Sequence, residues 1–133
     1  MRPTERIKEA QRVLEAEARA LFASSKKISL NFSKCIDLII DCKGTVVISG
    51  IGKSGNIGKK ITSTLASLGT PSIFLHTSDA FHGDLGILRK NDLLILISNS
   101  GETDELVRIL NYANKNGIKS IAITGKIDSF FSI

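Results

Sequence analysis

The chain has 133 residues, the size of one domain, and its 42% hydrophobic against 23% charged content is that of a packed core, which excludes a disordered tail. Net charge is +5, but Lys and Arg are scattered among Asp and Glu and aromatic residues reach only 5%, so the basic stripe with stacking rings of a nucleic-acid surface is missing. The opening Met1-Arg2-Pro3-Thr4-Glu5-Arg6 lacks the apolar core of a signal peptide, and no run approaches the ~18 apolar residues of a membrane span, so a cytoplasmic chain without a membrane partner is expected.

Along the chain, Ile7, Leu14, Ala18 and Leu21 recur at helical spacing over residues 4–25, with Glu and Arg on the other faces. A second helix is expected to start at an Asn31 cap, to carry Phe32, Cys35, Ile36 and Ile39 as its stripe, and to end near Gly44. Residues 1–42 are thus read as a helical lead-in that packs on the domain at 43–133. Cys35 and Cys42 are too few for a disulfide framework and wrongly spaced for a zinc site, so they are read as core residues.

From residue 45 the pattern changes. Residues 45–49, 72–75, 93–98 and 120–124 are short apolar runs, as strands buried on both faces would be. Helical patterns separate them: Ile57, Ile61 and Leu65 in one, Leu106, Ile109, Leu110 and Ala113 in another. Such alternation implies right-handed crossovers and a parallel, doubly wound sheet in a three-layer α/β/α sandwich, of the flavodoxin-like or Rossmann-like class. Ligands of these sheets bind beyond the carboxyl ends of the strands, which singles out the loops at 49–56, 76–86, 98–103 and after 124. The last residues, Asp128-Ser129-Phe130-Phe131-Ser132-Ile133, open another helical pattern, so a sheet incomplete at its C-terminal edge is expected.

Gly50-Ile51-Gly52-Lys53-Ser54-Gly55 fits the dinucleotide fingerprint, but the acidic residue that should end the second strand is absent, Asp79 falling in the loop beyond Leu75-His76-Thr77. A P-loop is disfavoured because Val47 stands where its first glycine is needed. What remains is a glycine turn whose backbone can approach an anion, with a lysine and a hydroxyl projecting from it, or else a plain tight turn. After the third strand comes Ser98-Asn99-Ser100-Gly101-Glu102-Thr103-Asp104-Glu105. Hydroxyls at 98, 100 and 103 with free amides at a helix start would make a neutral cage for a phosphate monoester; a serine-rich cap with acids in the first turn is the plainer alternative.

Together "GIGKSGNIGKK", "HGDLGIL" and "ISNSGETDEL", with "TPSIFLH" and "SIAITG", resemble the sugar isomerase (SIS) domain, and in particular the D-arabinose 5-phosphate isomerases, over roughly residues 43–126. The resemblance implies an enzyme that interconverts D-ribulose 5-phosphate and D-arabinose 5-phosphate for Kdo, lipopolysaccharide or capsule synthesis, without a required cofactor, as a homotetramer built through the first two helices. Carried onto this sequence, it implies phosphate binding by Ser54, Ser98, Asn99, Ser100 and Thr103, beside Gly52 and Gly55 of the turn, and active-site roles for Lys53 and Glu105. Glu102 is the alternative carboxylate, since on a helix 102 and 105 would share a face. His82, in His82-Gly83-Asp84 near His76, is left open between a sugar contact, a structural role and capture of an inhibitory or incidental zinc ion. Family members continue beyond this chain with a further glutamate and a histidine of the catalytic set, and many with CBS domains. The other function the residues admit is a non-catalytic module that senses a phosphosugar.

Overall fold

The computed structural model describes every residue except 1, 82, 130, 132 and 133. It divides into two compact units, Met1–Ile36 and Asp37–Ile133. Among the described residues no helix is long and apolar enough to cross a membrane.

Helix α1, Pro3–Ser25, opens with proline at its first position, where a missing N–H costs nothing. The Glu5 carboxylate accepts the Arg2 backbone N–H at 2.7 Å and bonds to the Arg2 guanidinium at 2.9 and 3.0 Å. These contacts hold the Glu5 carboxyl below its ordinary range, the backbone bond being the larger cause. No residue of α1 is buried, and its apolar positions Ile7, Leu14, Leu21 and Phe22 all stand exposed.

Helix α2, Leu30–Ile40, begins one residue before Asn31, which therefore sits in the first turn and is not the cap. Its end also falls short of Gly44. The Cys42 N–H reaches back only to the Ile39 carbonyl, a tightened last turn, while Gly44 donates to the Asn91 carbonyl at 2.9 Å. Gly44 thus serves a close backbone approach and not a helix cap. The core reading of the cysteines is corrected as well: Cys35 and Cys42 are free and half-buried, with the Cys42 sulfur 3.7 Å from the Asn91 carbonyl.

The sheet contains β1 (Val46–Gly50), β2 (Ser72–Phe74), β3 (Leu93–Ser98) and β4 (Lys119–Thr124), all parallel, in the order β2-β1-β3-β4. Each strand lies within a residue or two of its predicted run. Burial on both faces holds for the central strands β1 and β3, but β2 and β4 are edges and are only partly covered. Side chains alternate between the two faces. Val47, Leu94 and Leu96 join Leu106, Ile109, Leu110 and Ala113 of α5, Asp104–Lys115, in one core cluster with Ala80 of the short helix α4, Thr77–Phe81. All four predicted apolar residues of α5 are buried.

The opposite face is covered by α3, Gly52–Ser67, in an unexpected way. Its predicted stripe is not buried: Ile57 is exposed and Ile61 and Leu65 are half-buried. The buried residues of α3 are Gly55 and Gly58. A Cβ on Gly55 would stand 2.7 Å from the Gly50 carbonyl oxygen, and one on Gly58 would stand 2.9 Å from the Phe74 ring and 3.2 Å from Ile48. The helix therefore lies on β1 at backbone distance. At the other end of the sheet, buried Asp92 accepts the N–H of Thr45 and of Arg89, each at 2.8 Å, and ties the 89–92 turn to the start of β1.

Because the Gly55 contact is with backbone, Gly55→Ala should lower unfolding stability by about 1–3 kcal/mol, the usual cost of overpacking. Gly86→Ala, whose Cβ would meet open space, is the control. Equal urea midpoints for the two variants would show that α3 can lift from β1 without loss.

Candidate functional site

Strand β1 lies between β2 and β3, and the chain leaves it toward β2 through α3 and returns to β3 on the other side. The order of the strands reverses at the β1/β3 junction, and such a reversal opens a crevice beyond the carboxyl ends. Gly50 pairs with Ile97 across it, so the glycine turn after β1 and the serine loop after β3 leave the sheet side by side.

In the glycine turn, Gly52 has φ +57°, a left-handed conformation open to glycine at no cost, and a Cβ there would meet open space. Lys53 follows, exposed, at the second position of α3, with Ser54 half-buried behind it. Gly50 and Gly55 are kept small by each other, as the approach of Gly55 to the Gly50 carbonyl requires. Next to the turn, Gly52, Gly55, Asn56 and Lys59 border a cleft of about 270 Å³ closed by Phe74, His76 and Thr77. The Lys59 ammonium stands 5.4 Å from the Phe74 ring centre, and the exposed His76 ring meets Phe74 edge-on at 4.9 Å. Asp79, read from sequence as a loop residue, lies on α4.

The serine loop is a closed hydrogen-bond cluster. Ser98 Oγ lies 2.9 Å from Thr103 Oγ1 and 3.4 Å from Ser100 Oγ, so the three hydroxyls singled out in the sequence do converge. Two of the amides expected to be free are not: Gly101 N–H donates to Ser98 Oγ at 3.1 Å and Glu102 N–H to Ser100 Oγ at 3.2 Å. A serine hydroxyl has one proton to give, and accepting from the amides directs that proton elsewhere. Gly101 turns the loop at φ +66°, and a side chain there would collide with Ser129 and approach Thr124 Oγ1 to 2.9 Å.

Helix α5 starts at Asp104 with Thr103 at its N-cap position, so Glu102 precedes the helix and shares no helical face with Glu105. Glu105 stands exposed in the first turn. Glu102 instead faces Lys126, with 3.9 Å between carboxylate and ammonium. Asn99 is exposed, and its carbonyl accepts the Gly125 N–H at 3.1 Å. His82 lies outside the described residues, and with it the zinc expectation; among the described residues no group of three His, Cys, Asp or Glu could hold a metal ion. Sequence reasoning flagged the loop after residue 124 but named no residue in it. The missing signal was the register that sets Thr124 beside Ser98.

The family model for the SIS domain matches residues 38–132. The arabinose 5-phosphate isomerase KpsF of Escherichia coli O6:H1 is 47% identical over 124 residues, covering 92% of this chain and 38% of that protein. The arabinose 5-phosphate isomerase KdsD of Pseudomonas aeruginosa is 44% identical over 123 residues, again 92% and 38%. This chain thus spans little more than a third of the length of these relatives. A crystal structure from E. coli CFT073 in complex with arabinose 5-phosphate superimposes with a TM-score of 0.90 at 40% identity, covering 97% of this chain and 69% of that one.

Ser98→Ala should leave the buried Gly101 N–H without its acceptor and cost about 1–3 kcal/mol of stability. Amide exchange at Gly101 should quicken with it. An unchanged urea midpoint and unchanged exchange would mean that the hydroxyl does not hold the turn.

Proposed function

We propose a sugar-phosphate isomerase function from one premise: the chain belongs to the SIS domain family. The reaction is the interconversion of D-ribulose 5-phosphate and D-arabinose 5-phosphate, feeding Kdo and through it lipopolysaccharide or capsule. The observation that carries this reading is the convergence of three hydroxyls at the end of β3, beside a lysine-bearing turn at the end of β1. The E. coli relative holds arabinose 5-phosphate on the same fold, which supports a phosphosugar here.

In this reading Ser98, Ser100 and Thr103, with Asn99 and Ser54, hold the phosphate. The other end of the sugar then meets the residues able to move a proton. Isomerisation takes a proton from C1 of the ketose, forms an enediol, and returns a proton to C2, so it needs a base at carbon and charge stabilisation at the C2 oxygen. Glu105 is the proton carrier and Lys53 polarises the carbonyl oxygen. Glu102, before the helix and engaged with Lys126, is the second choice for the base. No step of this reading requires a metal. The exposed apolar positions of α1 support self-association, to a homotetramer in the cytoplasm.

The test is proton NMR of the chain with D-ribulose 5-phosphate in deuterated water. Conversion, with deuterium entering the substrate C–H positions, is the expected outcome. Binding without conversion would replace the enzyme by a phosphosugar sensor, and no binding would remove both. Where conversion is seen, Lys53→Ala should abolish it and spare phosphosugar binding; retained turnover would take Lys53 out of the chemistry. Ser100→Ala should weaken binding by roughly 1–2 kcal/mol, the loss of one hydrogen bond to a charged group.

A further inference from the structure

Ser98, the last residue of β3, pairs in register with Thr124, the last residue of β4, so the chain leaves β4 alongside the serine loop. Three consecutive residues then meet that loop. Thr124 Oγ1 lies where a side chain on Gly101 would come within 2.9 Å, and it accepts the Lys126 N–H at 3.2 Å. Gly125 donates its N–H to the Asn99 carbonyl at 3.1 Å, and a Cβ there would stand 2.6 Å from Asn99 Oδ1. Lys126 places its ammonium 3.9 Å from the Glu102 carboxylate. Its backbone is held by Thr124 and its side chain is turned to the serine loop.

We propose that Lys126 is a binding residue of the anion site, supplying the cation that the serine loop lacks and sharing it between Glu102 and a bound phosphoryl group. This rests on the sugar-phosphate reading and extends it to a residue outside the glycine and serine motifs. Charge is the reason. Residues 98–105 carry Glu102, Asp104 and Glu105 and no Lys or Arg. A phosphate monoester brings about −1.5 to −2 charges at neutral pH. The hydroxyls are neutral donors, and the start of α5 offers only a partial positive charge. Lys126 is the cation that the fold sets on one of these carboxylates. The pair itself is loose: its side chains are 60% and 51% exposed, a setting in which an ion pair contributes little. The ammonium can therefore turn from Glu102 to phosphoryl oxygens at small cost, where the contact gains a doubly charged partner.

Calorimetric titration of the chain with inorganic phosphate and with D-arabinose 5-phosphate, each at two salt concentrations, tests this. Lys126→Ala should weaken both ligands about 3- to 10-fold, the range for one charged contact at a partly exposed site. It should also flatten their salt dependence. Lys126→Arg should restore affinity, and Glu102→Gln should tighten phosphate by removing a carboxylate beside it. Lys119→Ala removes an exposed cation at the start of β4, the far end of that strand, and should change neither ligand. Wild-type affinity in Lys126→Ala, or an equal loss in Lys119→Ala, overturns the assignment while leaving the sugar-phosphate reading intact. A wild-type chain that binds neither ligand overturns that reading, and the role of Lys126 with it.

Discussion

The parallel pairing of β1 with β3 is the constraint on which the remaining structure depends. Both strands are buried on both faces, so helices must cover each side, and every connection must bring the chain back to the same end of the sheet before the next strand can begin. All loops that follow strands therefore collect at the other end. With Gly50 opposite Ile97 and Ser98 opposite Thr124, three of those loops become neighbours although the first and the last lie far apart in sequence.

Helix α3 shows how closely that end is built. A helix usually buries a stripe of large apolar side chains against a sheet, as α5 does with Leu106, Ile109, Leu110 and Ala113. On α3 the buried positions are Gly55 and Gly58, so the helix axis comes down onto β1 and its first turn sits directly over the carboxyl end of the strand. Lys53 and Ser54 are carried there by that approach. The glycines of the turn thus divide their work: Gly50, Gly55 and Gly58 allow contact between elements, and Gly52 allows the left-handed turn itself.

Charge at the second loop runs the other way from what an anion wants. The acids at 102, 104 and 105 suit the start of a helix, since carboxylates there oppose the partial positive charge of the helix end. The same acids would oppose a phosphate. Neutral hydroxyls that hold their own backbone amides give the loop a fixed shape without adding charge, and the nearest compensation arrives from a separate strand, through Lys126.

Periodicity in the sequence was enough for the sheet, the helices and their layers, because alternation between strand-length apolar runs and helical stripes is a local property of the chain. Local spacing also found both candidate loops, and the convergence of Ser98, Ser100 and Thr103 followed from a single short stretch of consecutive residues. It failed where distance along the chain hid a neighbour. Asn31 reads as a cap until the helix is seen to start at Leu30, Gly44 reads as a helix end until Asn91 is seen against it, and Ile57 reads as core until Gly58 is found beneath Phe74. Glu102 and Glu105 read as one face until the helix is seen to begin between them. The placement of Lys126 at the anion loop belongs to the β3–β4 register, which no local pattern contains, since strand pairing is set by packing across the whole sheet and not by the residues on either side of the pair.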